Sequence, residues 1–265
     1  MGVRDACFSF YWKAQKLLAP SLRYSPAIYE DILFAHSNGV DKWLDLGCGR
    51  QLLPSWRGDA ERILAAKPHL LVGLDFDYNS LRENRCIRYL VQGDISSLPF
   101  ASETFDLVTS NMVFEHLADP ESQLREVYRI LKPGGSLIFH TPNALGYATV
   151  AARISPEWLK PKMIWFLGGR KEEDVFRTHY RINTERAIGK LSCEAGFWVT
   201  EISLVASSAE LVMIPPLAVL ELLFIGVLMM RFARSFRSNI IVVLTKPGAS
   251  ARVSSPARQD LGAGP

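Results

Sequence analysis

The chain has 265 residues, 48% of them hydrophobic, which suits one α/β domain with additions and a sizeable core and excludes a disordered chain. A formal net charge of +3, with no long block of like charge, excludes a chain built to wrap nucleic acid. The four cysteines, Cys7, Cys48, Cys86 and Cys193, form no C-x-x-C pair, so neither a metal site nor a disulfide framework is expected, and free thiols suit a reducing, cytoplasmic compartment.

Residues 1–40 read as a helical cover. Phe10, Trp12, Leu17 and Leu18 mix with Lys13 and Lys16, and no continuous apolar run of the signal-peptide kind opens the chain. A second helix is expected from Pro26, a residue suited to a helix start, to His36. The pattern then changes to short apolar runs that end in Gly or Asp, separated by helical stretches. The runs are Lys42–Leu46, Leu70–Leu74, Ile87–Gln92, Leu107–Ser110 and Ser136–His140. Strands alternating with helices predict βαβ units and a parallel sheet, which binds ligands beyond the carboxyl ends of its strands. Residues 144–180 carry little strand pattern and read as an inserted helical lid. Thr184 to Ala195 is an amphipathic helix capped by Asn183 or Thr184 and stopped by Gly196. Phe197–Val205 and Asn239–Thr245 are further strands, within a domain spanning 41–246, and 247–265 is expected to be a disordered tail.

Candidate ligand residues fall at the strand ends. In WLDLGCGRQLLP (43–54), Gly47 and Gly49 let the backbone turn tightly and approach a ligand, and the next helix is expected to aim its N-terminal amides at the turn. Asp75 lies 26 residues beyond Gly49 at the end of the second strand. An acid there can accept hydrogen bonds from both ribose hydroxyls, whereas the alternative role of helix N-cap falls to Asp77 or Asn79. Asp94 ends the third strand. It can accept from an adenine amine, with Ile95 covering the ring, or form an Asx-turn into Ser96. Phe76, next to the ribose acid, joins this set.

The series DLGCG, GLDFD, GDISSLPF, TFDLVTSNMVFEHL and LREVYRILKPGGSLIFHTPN resembles the motifs of class I S-adenosylmethionine-dependent methyltransferases, and is similar to the ubiquinone/menaquinone-type subgroup. The resemblance runs over residues 40–143, and RINTERAIGKLSCEAGF (181–197) is similar to a late helix of that class. It implies a Rossmann-like seven-stranded sheet with helices on both faces and strand seven antiparallel. It further implies S-adenosylmethionine as cofactor, held by Asp45, Gly47 and Gly49 at its methionine end, Asp75 at ribose and Asp94 at adenine. Asn111 and Met112 would line the methyl-donor pocket. One departure is Gln51, where turns of this class often have a third glycine.

Methyl transfer from a sulfonium needs positioning, and a base helps when the acceptor is a hydroxyl or an acidic carbon. His116 follows strand four and suits that base; the alternative is that it orients the loop or caps a helix. Glu115 beside it is expected to be solvated. His140 is a candidate for the acceptor pocket or a hydrogen-bonded structural residue. His179, Tyr180 and Arg181 could contact an acceptor oxygen or phosphate, or form surface ion pairs. The acceptor is expected to be a small molecule, lipophilic or glycosylated. The alternatives are a non-catalytic S-adenosylmethionine-binding partner subunit and a nicotinamide-dependent reductase.

Leu211 to Met230 is apolar over 20 residues, within an insertion at about 209–235. Glu221 in its middle and the need to return to strand seven oppose a membrane span. The segment instead packs internally or in a homodimer, or lies on the inner face of a membrane as a peripheral contact. For the last case Arg231, Arg234 and Arg237, spaced by three, are expected to share a face toward headgroups. A monomer fits as well as a homodimer.

Overall fold

The structure, a computed structural model, describes residues 2–155, 177–207 and 210–248. Seven strands form one sheet: β1 (Lys42–Leu46), β2 (Leu70–Asp75), β3 (Tyr89–Gln92), β4 (Phe105–Asn111), β5 (Leu131–Pro142), β6 (Trp198–Val205) and β7 (Asn239–Thr245). Their order is β3-β2-β1-β4-β5-β7-β6. Neighbours are parallel except β7, which runs antiparallel to both β5 and β6. The chain reverses its direction of winding between β1 and β4, and a ligand crevice is expected outside the strand ends at such a switch.

Each face is covered because the strands are apolar on both sides. On one face α5 (Pro120–Ile130) and α7 (Glu185–Glu194) bring Leu124, Val127 and Ile188 against Leu44, Val108 and Phe139. On the other, α2 (Ser25–His36), α3 (Gly58–Ala65) and α4 (Tyr78–Glu83) bring Tyr29, Leu33, Leu64 and Leu81 against Trp43, Leu107 and Ile138. The second helix of the expected cover is therefore part of the sheet's own layering. Its partner α1 (Val3–Leu18) packs instead on α8 (Pro215–Leu228), through Tyr11, Ala218, Leu222 and Ile225.

Of the expected lid, residues 144–155 carry α6 (Tyr147–Ile154) and 177–180 lead into α7; residues 156–176 lie outside the described residues. Most of the expected tail, 249–265, does too. Thr184 caps α7 by accepting from the Ala187 amide at 3.1 Å, while Asn183 turns inward and donates to Thr141 and Pro142.

The apolar stretch is shorter as a helix than as a sequence run. Pro215 and Pro216 start α8, which is 14 residues long, and among the described residues no helix is long and apolar enough to cross a membrane. Glu221 is buried: its carboxylate accepts from the Tyr147 hydroxyl and from the amides of Glu210 and Leu211, each at 2.8 Å. The three arginines do not share a role. Arg237 is half-buried and donates to the carbonyls of Leu228 and Met229, which the end of α8 leaves unpaired, and to that of Leu204 in β6. Burial lowers its pKa. Arg234 pairs with Glu185 at 2.9 Å, and Arg231 is exposed.

Candidate active site

The turn after β1 is fixed by its neighbours. The amides of Gly47 and Cys48 donate to the Leu74 carbonyl at the end of β2. Gly47 has φ +66, and a Cβ there would lie 2.3 Å from Val113. Only glycine meets both demands. Gly49, at φ +46, would carry a Cβ into open space, so that side of the turn is clear for a ligand.

The helix after the turn is set back. Residues 50–57 intervene, including a short 3-10 turn, and the Glu61 carboxylate in α3 takes the Leu52 and Leu53 amides at 2.6 and 3.1 Å. The expected aim of helix amides at the turn is thus corrected: the loop amides are satisfied by a side chain, and the turn is shaped by Gly47, Gly49 and Asp75. Gln51, the position of the departure from the family pattern, lies exposed in this intervening loop.

Asp75 is half-buried. One carboxylate oxygen accepts from the Gly49 amide and the other from the Asp77 amide, both at 2.8 Å. An ionised carboxylate offers about four acceptor positions, so each oxygen keeps a lone pair for a hydroxyl. Asp77 takes the N-cap role, accepting from Asn79 and Ser80. Phe76 is exposed beside it. Asp94, one strand over, is exposed and accepts from the Ser96 amide at 2.8 Å; this is the Asx-turn, and it leaves the second oxygen outward. The Gly93 amide donates to the Asp75 carbonyl, which ties the two acids together, and Ile95 packs at the edge of the core.

Beneath the turn, Asp45 is buried. Thr109 donates to it at 2.6 Å and itself receives the Trp43 indole N–H at 2.7 Å. Burial pushes the Asp45 carboxyl up to about 7, with Asp75 and Glu61 adding repulsion. At the end of β4, Asn111 is half-buried and Met112 is exposed with φ +57.

His140 is buried, its Nδ1 2.9 Å from the Asn111 side-chain oxygen and its ring beside Tyr29. Because an amide oxygen only accepts, Nδ1 carries the proton. Burial lowers the pKa to about 3, so the ring stays neutral. His140 holds Asn111 from behind.

The β4–α5 loop holds the second cluster. Glu115 is buried, contrary to the solvated carboxylate expected from sequence. Its side chain accepts from Thr141 at 3.0 Å, and its carbonyl accepts the amides of His179 and Tyr180 at 2.7 and 3.1 Å. The insertion's return is therefore clamped onto this loop, and Tyr180 takes φ +52 there. Burial raises the Tyr180 pKa. Arg181 is exposed. His116 is partly exposed, its Nδ1 3.0 Å from the Arg177 carbonyl and its Nε2 3.8 Å from Glu115. Thr141 and Asn183, which complete the cluster, were not singled out as site residues. The only sequence signal for them was position, at the end of β5 and before α7.

Residues 44–139 match the family model described as "Methyltransferase domain". Over 72 residues the chain is 39% identical to a malonyl-[acyl-carrier protein] O-methyltransferase of Coxiella burnetii, covering 27% of this chain and 25% of the relative. Over 114 residues it is 34% identical to a demethylmenaquinone methyltransferase of Corynebacterium kroppenstedtii, covering 42% and 47%. The matched stretches thus span less than half of these relatives. Among solved structures, a chain in the complex between the Haloferax volcanii Trm112 methyltransferase activator and the putative methyltransferase superposes with a TM-score of 0.56, at 21% identity, covering 93% of this chain and 98% of that one. The resemblance to class I S-adenosylmethionine-dependent methyltransferases holds for the central domain, and its fold is that of the class. The cofactor of that class is S-adenosylmethionine, and the glycine turn with its flanking acids fits it.

Proposed function

We propose that this protein transfers a methyl group from S-adenosylmethionine to a small lipophilic or glycosylated acceptor. The observation that carries the reading is the arc of Asp45, Gly47, Gly49, Asp75 and Asp94 across three adjacent strand ends, with open space above Gly49 and acceptor capacity left on Asp75. Asp45 and the turn would hold the methionine end, Asp75 the ribose hydroxyls and Asp94 the adenine amine, with Phe76 and Ile95 as apolar neighbours. Asn111 and Met112 would face the donor group. When bound, the cofactor supplies a methyl already activated by its sulfonium. The chain's own work is then positioning and exclusion of water.

Where the acceptor carries a hydroxyl or an acidic carbon, His116 takes its proton. The Arg177 carbonyl holds hydrogen on Nδ1, which makes Nε2 the basic nitrogen. The imidazolium formed lies 3.8 Å from the buried Glu115, which stabilises it. His179 and Tyr180, fixed to Glu115, stand beside this base, and with Arg181 they form the acceptor side. The relatives are named for different acceptors, so the acceptor is not carried over from either name. Free thiols at Cys7, Cys48, Cys86 and Cys193 support a cytoplasmic location.

The test is a screen of lysate metabolites with donor labelled in its methyl group, followed by extraction. Label in the organic phase identifies a lipophilic acceptor. Label in no metabolite, from protein that binds the donor, would overturn the transferase reading in favour of a non-catalytic binding subunit.

A further inference from the structure

Helix α8 is apolar on every side, yet only half of it is covered. Ala218, Leu222 and Ile225 are buried against α1. Leu217, Leu220, Phe224 and Val227 are exposed, Leu220 by 62%. At 100° per residue these positions and the equally exposed Leu223 fill one continuous arc of roughly 120°, so this is a ridge rather than scattered surface leucines. The ridge continues into the turn Arg231–Phe236, where Phe232 is 78% exposed and Phe236 also stands out.

We propose that this ridge docks on an anionic lipid surface. Three observations favour that occupant. Between Leu211 and Ser238 the only acidic residue is Glu221, whose carboxylate is buried and fully engaged by Tyr147 and two amides, so no negative charge faces outward from the segment. Exposed phenylalanines alternate with exposed Arg231 and Arg234, the grouping that seats aromatic rings at the headgroup boundary while guanidinium groups meet phosphate. The pairing of Arg234 with Glu185 is solvent-exposed and therefore weak, so it yields to a phosphate.

The third observation is size. A helix of 14 residues is about 21 Å long and projects on the order of 200 Å², a quarter of the roughly 800 Å² each partner buries in a stable pair. A second copy is therefore the poorer occupant. The ridge is also pre-formed. Glu221 fixes α8 at its middle and Arg237 at its end, so docking needs no refolding. An interfacial helix of this kind binds through buried apolar area plus charge, reversibly.

The experiment is co-sedimentation of the full chain, without cofactor, with phosphatidylcholine vesicles carrying or lacking roughly 30 mol% phosphatidylglycerol. The full chain is expected to pellet with the anionic vesicles and to be released by high salt. Leu220→Glu combined with Phe232→Glu should lower the bound fraction at least about tenfold. Trp56→Glu, at an exposed aromatic outside this segment, should leave it unchanged. Arg231→Glu, which leaves the ridge apolar, should weaken binding to anionic vesicles only, and it serves as the test if the double variant fails to fold. No pelleting with either vesicle, equal pelleting of the variants, or a dimer in light scattering that the double variant dissolves would overturn the proposal. Vesicle binding is read without donor or acceptor, so its failure leaves the methyl-transfer reading standing, and the reverse holds too.

Discussion

The acids at the ends of β2 and β3 are fixed by backbone amides, whereas the β4–α5 loop and the insertions that join β5, β6 and β7 make their contacts far along the chain. In the first region Asp75 is set by amides at positions 49 and 77. In the second, Glu115 is set by Thr141, His179 and Tyr180, and Glu221 by Tyr147. Under the proposed function the difference separates two tasks. A nucleoside of fixed shape would be met by a turn that local sequence dictates, and an acceptor and a surface by elements that only tertiary packing brings together. If this division is right, substitutions in the first region change cofactor affinity, and those in the second change turnover or surface binding while leaving affinity alone.

The largest effect is expected for Gly47→Ala. The new Cβ meets Val113 at 2.3 Å and the residue keeps φ +66, so strain and overpacking together cost about 3 kcal/mol or more. Calorimetry should find cofactor binding reduced at least roughly a hundredfold, with a lower Tm. An unchanged affinity would show that the turn is not part of the ligand site. His116→Ala comes next and tests the other region: turnover should fall about 100-fold or more while cofactor affinity stays level. Equal turnover with the identified acceptor would leave His116 as a loop-orienting residue.

Asp75→Ala should weaken cofactor binding by about 1–3 kcal/mol, since it removes charge-assisted acceptors and also frees the Gly49 amide. Tight binding by a folded variant would place the ribose elsewhere. The remaining effect is a pH dependence. Asp45 holds its proton in the folded chain up to about pH 7, whereas unfolded chains release it near 3.8. The folded state binds more protons across that window, so stability without ligand falls as pH rises from about 4 to about 7. A cationic methionine amine favours the ionised form, so affinity should rise with pH over the same range, by up to about tenfold per unit, and level off above it. Asp45→Asn should flatten that rise; a persistent rise would assign it to another group.

All seven strands were legible, because each is a short apolar run closed by a turn residue, and five of the seven match to the residue at one terminus or both. β5 begins earlier than expected, at Leu131, because Leu131 pairs with Phe105 of β4 before a register shift brings Ser136 opposite Leu107. The strand-end positions of Gly47, Gly49, Asp75 and Asp94 were legible because their spacing follows from the βαβ unit. Glu115 could not, because its burial depends on Thr141 and on a segment 64 to 65 residues downstream. Arg237 was misread for a similar reason. Spacing by three suggested a shared face, but the unpaired carbonyls at the end of α8 captured its guanidinium.

The central claim is that the strand-end arc is a site for a sulfur nucleoside. Calorimetric titration of the full chain with S-adenosylmethionine, its demethylated product and NAD tests it most directly. Saturable binding of both sulfur nucleosides and none of NAD is the predicted result. Heat from NAD, with no response to either sulfur nucleoside, would contradict it.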